Sequence, residues 1–318
     1  MRLQKICLAL VGFQLAICRN FYDQNGDITE LSPKTFDKVV HRTNYTTLVE
    51  FYAPWCGYCQ QLTGIMKKAA KNLDGIVQVA SVNCDEAKNK RLCAQHRVEG
   101  FPTLMVFRPP KFDLNKGPEE RLLLGNHASE VYKGERKLKP LVDFCVSRVK
   151  NYVTRLQKIE KLVQLLSQSN NSRLKAVLFS RKDKISPLYK SLALDWLGVI
   201  DFHVLLNSKL QASEDQLSGL SEETRDFLLD FQKTQAASET SKLVVFDTAS
   251  NKHLVYDGTS FDKQSIWSFL SQWVEPREGI STKRQEYLDS LKTRSKSRNK
   301  KINKKKMTQE EKFAHDEL

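Results

Sequence analysis

Residues 48 to 59 limit the possible folds more than any other stretch of this 318-residue chain. Leu48-Val49-Glu50-Phe51-Tyr52-Ala53 is apolar, β-branched and aromatic, Pro54 ends the run, and Cys56-Gly57-Tyr58-Cys59 opens a helix-favouring segment. A buried strand feeding straight into a helix delivers two thiols to the helix N-terminus. Unsatisfied N–H groups and a partial positive charge there favour thiolate over thiol at the first cysteine. Cys56 is therefore read as the attacking thiol, and Cys59, about one turn further in, as the resolving one. Two other chemistries share the spacing. Zinc needs a second ligand pair, and only Cys84 and Cys93 are on offer, without a second Cys-x-x-Cys or paired histidines, so no metal is expected. A purely structural Cys56–Cys59 disulfide would close a loop too short to constrain the unfolded chain much.

The ends of the chain are unlike its middle. Arg2 and Lys5 precede an apolar run from Ile6 to Ile17, and small residues stand before Arg19, which is the pattern of a secretory signal over 1–18. The run is too short for an ordinary transmembrane helix, and no other is longer, so no transmembrane segment is expected. The net charge of +14 is concentrated near the other end, where Lys292 to Lys306 holds nine Lys/Arg and no acid. After Pro276 the composition cannot bury enough apolar surface to order the chain, so 276–318 reads as a mobile basic tail. A secreted chain does not meet nucleic acid, so that partner is excluded. The chain closes on His315-Asp316-Glu317-Leu318, a retention signal read by a receptor. The compartment expected is the lumen of the endoplasmic reticulum.

Between these ends, the length suits two domains, 19–150 and 151–275. In the first, helices are expected from Ser32-Pro33 to Val40, Gly57 to Leu73, Lys88 to His96 and Leu138 to Lys150. Strands are expected at Tyr45–Tyr52, Val77–Val82, Thr103–Phe107 and Val131–Lys133, giving a layered α/β fold. In the second, strands are expected at Lys175–Phe179, Lys242–Phe246 and His253–Tyr256, with helices at Leu188–Leu197 and Ser265–Trp273. No cysteine follows Cys145, which sits in an amphipathic pattern as an inert core thiol. Asn44 and Asn170 head glycosylation sequons, Asn44 at an exposed strand entry being preferred.

Trp55-Cys56-Gly57-Tyr58-Cys59 after Val49-Glu50-Phe51-Tyr52-Ala53-Pro54, with Gly100-Phe101-Pro102-Thr103 downstream, resembles the catalytic domain of the protein disulfide isomerase family. The whole chain looks like its small fungal members, with two tandem thioredoxin-like domains, mixed sheets flanked by helices, and a dithiol only in the first. The resemblance implies thiol–disulfide exchange on folding secretory proteins, with no cofactor. Its expected partners are unfolded or misbridged secretory clients, glutathione or an endoplasmic-reticulum oxidase, the retention receptor, and a chaperone. A chaperone or adaptor whose redox activity is incidental is the competing reading; client binding that survives loss of both thiols would favour it.

The resemblance also assigns roles. Glu50 matches the buried acid that moves protons for the resolving cysteine, against an edge-facing solvated acid. Pro102 matches a cis-proline opposite the dithiol, against a trans proline in an ordinary turn; with Phe101, Trp55, Gly57 and Tyr58 it would line the client-binding face. Arg136 matches an arginine that tunes the resolving cysteine, against a surface arginine paired with Glu135. The family pattern is broken at Tyr58, where histidine is usual, and at Gln60, where lysine is common. Tyrosine is neutral at physiological pH, so the dithiol should be a weaker oxidant by ~1 kcal/mol, about 20–30 mV. In an oxidising compartment Cys84 and Cys93 should form a disulfide, contributing roughly 2.5–3 kcal/mol as a structural staple, or else serve as a regulatory redox pair.

Overall fold

The computed structural model describes residues 21–22, 27–111, 127–167 and 174–274. The signal segment 1–18, Asn170, and the tail with His315 to Leu318 lie outside them. Among the described residues the first half holds β1 (Thr29–Glu30), α1 (Pro33–Phe36), β2 (Thr47–Tyr52), α2 (Gly57–Asn72), β3 (Gln78–Asn83), α3 (Lys90–Gln95), β4 (Thr103–Arg108), β5 (Ala128–Val131) and α4 (Leu138–Ser147). Its sheet has the order β1-β3-β2-β4-β5, with β2 parallel to β3 and antiparallel to β4. Every residue of β2 is buried, which is why its sequence reads as a continuous apolar run rather than an alternation. One face packs on α2 and α4 through Leu48, Leu62, Met66, Val106 and Leu141; the other packs on α1 and α3 through Phe36, Val49, Phe51 and Leu92.

The second half repeats the plan with β6 (Thr154–Leu156), α5 (Ile159–Ser167), β7 (Leu174–Ser180), α6 (Pro187–Asp195), β8 (Ile200–Leu206), α7 (Glu222–Gln235), β9 (Lys242–Asp247), β10 (Lys252–Val255) and α8 (Lys263–Leu270). The sheet order β10-β9-β7-β8-β6 is that of the first sheet read from the other edge, with the same parallel and antiparallel pairs. Two mixed five-stranded sheets, each flanked by helices, are tandem thioredoxin-like units.

Several boundaries depart from expectation. Ser32 caps α1 in a capping box with Thr35, but after Phe36 the helix widens into a π turn over Asp37–His41. The wider turn lets Phe36, Val39 and Val40 all reach the core. β5 ends at Val131 instead of starting there, because Tyr132 turns its hydroxyl back to donate to the Glu135 carbonyl at 2.6 Å. α4 stops at Ser147, and Arg148 leaves it to pair with Glu130 at 2.7 Å. Strands β1, β6 and β8 and helices α5 and α7 are present in addition to the expected elements.

Tyr45 is not part of β2. It points to the second unit, where its hydroxyl donates to the Asp195 carboxylate. Lys263 at the start of α8 completes the joint, with Nζ 2.8 Å from Asp195 and donating to the Gly75 carbonyl at 2.5 Å. Gly75 has φ +71, and a Cβ there would come 2.7 Å from Lys263 Cδ, so both the backbone and the contact favour glycine.

Candidate active site

The β2–α2 junction builds the site. Cys56 is the N-cap of α2 with extended backbone (φ −76, ψ 113), and its Sγ accepts the Cys59 N–H at 3.4 Å. Sulfur thus takes the place of the usual capping oxygen, and the first turn of N–H groups faces the thiol. Cys59 lies one turn in and is fully buried, whereas Cys56 keeps 8% of its surface. The Phe101–Pro102 peptide is cis, and the Phe101 carbonyl is 3.6 Å from Cys56 Sγ. Trp55 and Tyr58 stand 67% and 70% exposed beside the thiol. Trp55 donates its Nε1–H to Asp85 at 3.1 Å and meets the Phe101 ring edge-on, 6.0 Å between centroids. Gln60, in the position where lysine is common, donates to the Pro54 carbonyl at 2.9 Å and ties the helix back to the strand end.

Glu50 lies within the same β2 strand, fully buried. Burial pushes its carboxyl up to about 7, a rise moderated by the hydrogen bond from Tyr22, reinforced by the charge of Glu30 and opposed by that of Arg136. Tyr22 donates to Glu50 Oε2 at 2.5 Å, and Oε1 is buried with no hydrogen-bond partner. Burial likewise pushes the Cys59 thiol up to about 12, with the contact to Cys56 and the Glu50 charge adding to the rise. A thiol held that high needs a base before it can attack. An acid near 7 with one free oxygen supplies one.

Arg136 is exposed and donates Nη2–H to the Pro102 carbonyl at 3.0 Å. Glu135 pairs with Lys137 at 2.8 Å instead. Cys84 and Cys93 are joined in a disulfide, with Cα atoms 6.0 Å apart, and the loop it closes presents Asp85 to Trp55. Cys145 is fully buried, and burial pushes its thiol up to about 12. Asn44 departs from its expected exposure: it is half-buried, its Oδ1 is enclosed without a partner, and Tyr45 beside it docks on Asp195.

Sequence reasoning missed the floor of the site. Glu30 on β1 accepts from Tyr52 Oη at 3.1 Å, Ser81 Oγ at 2.7 Å and the Asn83 N–H at 3.0 Å. An acid between Thr29 and Leu31 is the same cue that singled out Glu50, in a run too short to be noticed. Tyr22 carries no periodic signal at all.

Comparison with known proteins agrees with this geometry. Residues 27–146 match the family model described as Thioredoxin. Over 295 residues the chain is 49% identical to protein disulfide-isomerase MPD1 of Saccharomyces cerevisiae, covering 91% of this chain and 92% of that one. It is 38% identical to protein disulfide-isomerase A6 of Mesocricetus auratus over 46% of this chain and 31% of that protein. The crystal structure of ERdj5 form II superposes on 80% of this chain with a TM-score of 0.55 at 20% identity, over 30% of its own length, and bears on the fold alone. With identity of 49% running through nearly the full length of both chains, this protein belongs to the protein disulfide isomerase family and is a thiol–disulfide oxidoreductase.

Proposed function

We propose that the chain forms, reduces and rearranges disulfides in folding secretory proteins of the endoplasmic-reticulum lumen, with Cys56 as nucleophile, Cys59 as resolving thiol and Glu50 as the proton carrier. The observation that carries this reading is the arrangement at one helix end: a capping thiol at the surface, a second thiol one turn beneath it, and a buried acid with a free oxygen whose charge bears on that second thiol. Cys56 attacks a client disulfide and forms a mixed disulfide. Cys59 gives its proton to Glu50 and attacks Cys56, which leaves the client reduced by two electrons and the enzyme dithiol oxidised by two. The reverse sequence donates a disulfide.

Trp55, Gly57, Tyr58, Phe101 and Pro102 form the client face in this reading, and Arg136 supports the Pro102 loop. The catalytic unit is taken as 19–150 and the thiol-free unit as 151–275. Glutathione or a lumenal oxidase would reset the dithiol, a chaperone would share its clients, and the terminal His315 to Leu318 would engage the retention receptor. Cys59→Ser tests the scheme: it should accumulate mixed disulfides between Cys56 and secretory clients in cells. Trapping that is equally strong in Cys56→Ser/Cys59→Ser would overturn it.

A further inference from the structure

The acid beneath the dithiol does not act alone. Resting on the reading of Glu50 as proton carrier, we propose that Tyr22 and Glu30 are positioning residues that bias Glu50 in opposite directions, Tyr22 favouring its charged form and Glu30 its protonated form.

The geometry separates the two oxygens of Glu50. Oε2 receives the Tyr22 hydroxyl at 2.5 Å, while Oε1 is enclosed and unpartnered. A donor fixed on one oxygen holds the carboxyl plane and leaves the other oxygen as the acceptor for the Cys59 proton. Tyr22 is itself clamped, 1% exposed and edge-on to the Tyr52 ring, while its neighbour Phe21 stacks on Tyr52 at 4.7 Å and donates its N–H to the Tyr52 hydroxyl at 3.2 Å. The same Tyr52 hydroxyl donates to Glu30.

Glu30 is the counterweight. Three donors converge on it, from Tyr52, Ser81 and the Asn83 backbone, which is the environment that keeps a carboxylate charged. Glu30 on β1 and Glu50 on β2 both stand in register with Ser81 on β3, so the two acids lie in one cross-strand row and a charged Glu30 repels charge on Glu50 across a single intervening strand. The ionisable groups bearing on Glu50 are Tyr22 from the N-terminal segment, Glu30 from β1, Arg136 from the loop before α4 and Cys59 from α2. Arg136 and Tyr22 favour the carboxylate, and Glu30 opposes it. The hydrogen bonds described for Tyr22 and Glu30 run to Glu50, Tyr52, Ser81 and Asn83 and not to sulfur, so their effect reaches the reaction through Glu50.

In the resolving step the Cys59 proton passes to Glu50 Oε1 while Cys59 sulfur attacks Cys56. The Cys56–client bond breaks, the Cys56–Cys59 bond forms, and the client sulfur leaves with the electron pair and is then protonated. A carboxyl biased too far toward the acid cannot take the proton at neutral pH. One biased too far toward the carboxylate holds it too weakly.

The test follows oxidation of the reduced full-length protein by oxidised glutathione from pH 5 to 9, with the protonated carboxyl stretch read by infrared difference spectroscopy in parallel. Glu50→Gln is the reference and should remove both the inflection near 7 and the carboxyl band. Tyr22→Phe, which deletes one oxygen, should move both to higher pH by about one unit; Glu30→Gln should move both to lower pH. Inflection and band unmoved in a folded Tyr22→Phe, or moved the same way by both variants, would overturn the inference while leaving Glu50 as carrier. An unchanged profile in Glu50→Gln would instead overturn the reading beneath it. Because the carboxyl band reports Glu50 directly, a general loss of stability does not imitate the shift.

Discussion

The two sheets have one topology and opposite interiors. Phe51 on β2 pairs with Thr103, the first residue of β4, and Phe179 on β7 pairs with Lys242, the first residue of β9, so the two central strands align without a gap. Glu50 then corresponds to Leu178, and its partner Ser81 to Val204. At the helix entry, Cys56-Gly57-Tyr58-Cys59 corresponds to Ser186-Pro187-Leu188-Tyr189. Both N-caps use the side chain in the same way: Cys56 Sγ takes the Cys59 N–H, and Ser186 Oγ takes the Tyr189 N–H at 3.1 Å. Where the resolving thiol would sit, Tyr189 is fully buried and its hydroxyl donates to the carbonyls of Ala176 and His203, each at 3.0 Å. The fold supplies a capped helix end above a central strand, and four or five side chains decide whether that end is a reaction centre or a packed plug.

Copying the second unit into the first gives the largest expected effect. Cys56→Ser reproduces the Ser186 cap, so the fold should stay within about 1 kcal/mol, while reactivation of scrambled ribonuclease falls about 10³-fold or more, to background. Retained activity would break the comparison. Glu50→Leu reproduces Leu178 and should act through pH. The Glu50 carboxyl is raised from 4.5 to about 7, so the folded state holds its proton longer than the unfolded chain. Wild-type stability therefore falls as pH rises from 4.5 through 7. Denaturant titrations should show the variant gaining on wild type over that window by roughly 3 kcal/mol, with no gain below it; the orphaned Tyr22 hydroxyl subtracts a pH-independent amount.

The remaining two effects are smaller. Tyr189→Phe should cost the second unit about 1–2 kcal/mol through loss of the buried hydroxyl's hydrogen bonding, with the exchange rate of the dithiol unchanged, as melting and activity assays on one preparation would show. Tyr58→His changes the exposed position that corresponds to the packed Leu188. An imidazolium beside the dithiol favours its reduced form, so the reduction potential against glutathione should rise by about 20–30 mV. A potential unchanged or lowered would end that account of the tyrosine.

Legibility followed the length and purity of the apolar runs. β2, β4, β7 and β9 are buried on both faces and could be read directly, as could α2, whose Cys59, Leu62, Met66 and Ala69 fall on one face. β1 and β6 have two and three residues, too few to show a period. β8 is interrupted by Asp201 and His203, tolerated because Asp201 pairs with Lys175 at 2.6 Å and burial holds His203 neutral, pushed down to about 4. A short repeat also marks the two units: Val131-Tyr132-Lys133-Gly134 and Val255-Tyr256-Asp257-Gly258 close corresponding edge strands, and both tyrosine hydroxyls turn back to donate to a backbone carbonyl at 2.6 Å. In the site, the thiols and Glu50 stood out as chemistry in apolar company. Tyr22 and Glu30 did not, because their roles arise from tertiary contacts that no local pattern records.

The Tyr45–Asp195–Lys263 joint fixes where the second unit stands in relation to the work of the first. It grips the chain before β2 begins and just after α2 ends, at Gly75, whereas the thiols sit past the end of β2 and at the start of α2. α2 runs for 16 residues, about 24 Å from one end to the other. The joint therefore lies about a full helix length from Cys56, so the contacts that hold the two units together and the chemistry of the dithiol occupy opposite ends of α2.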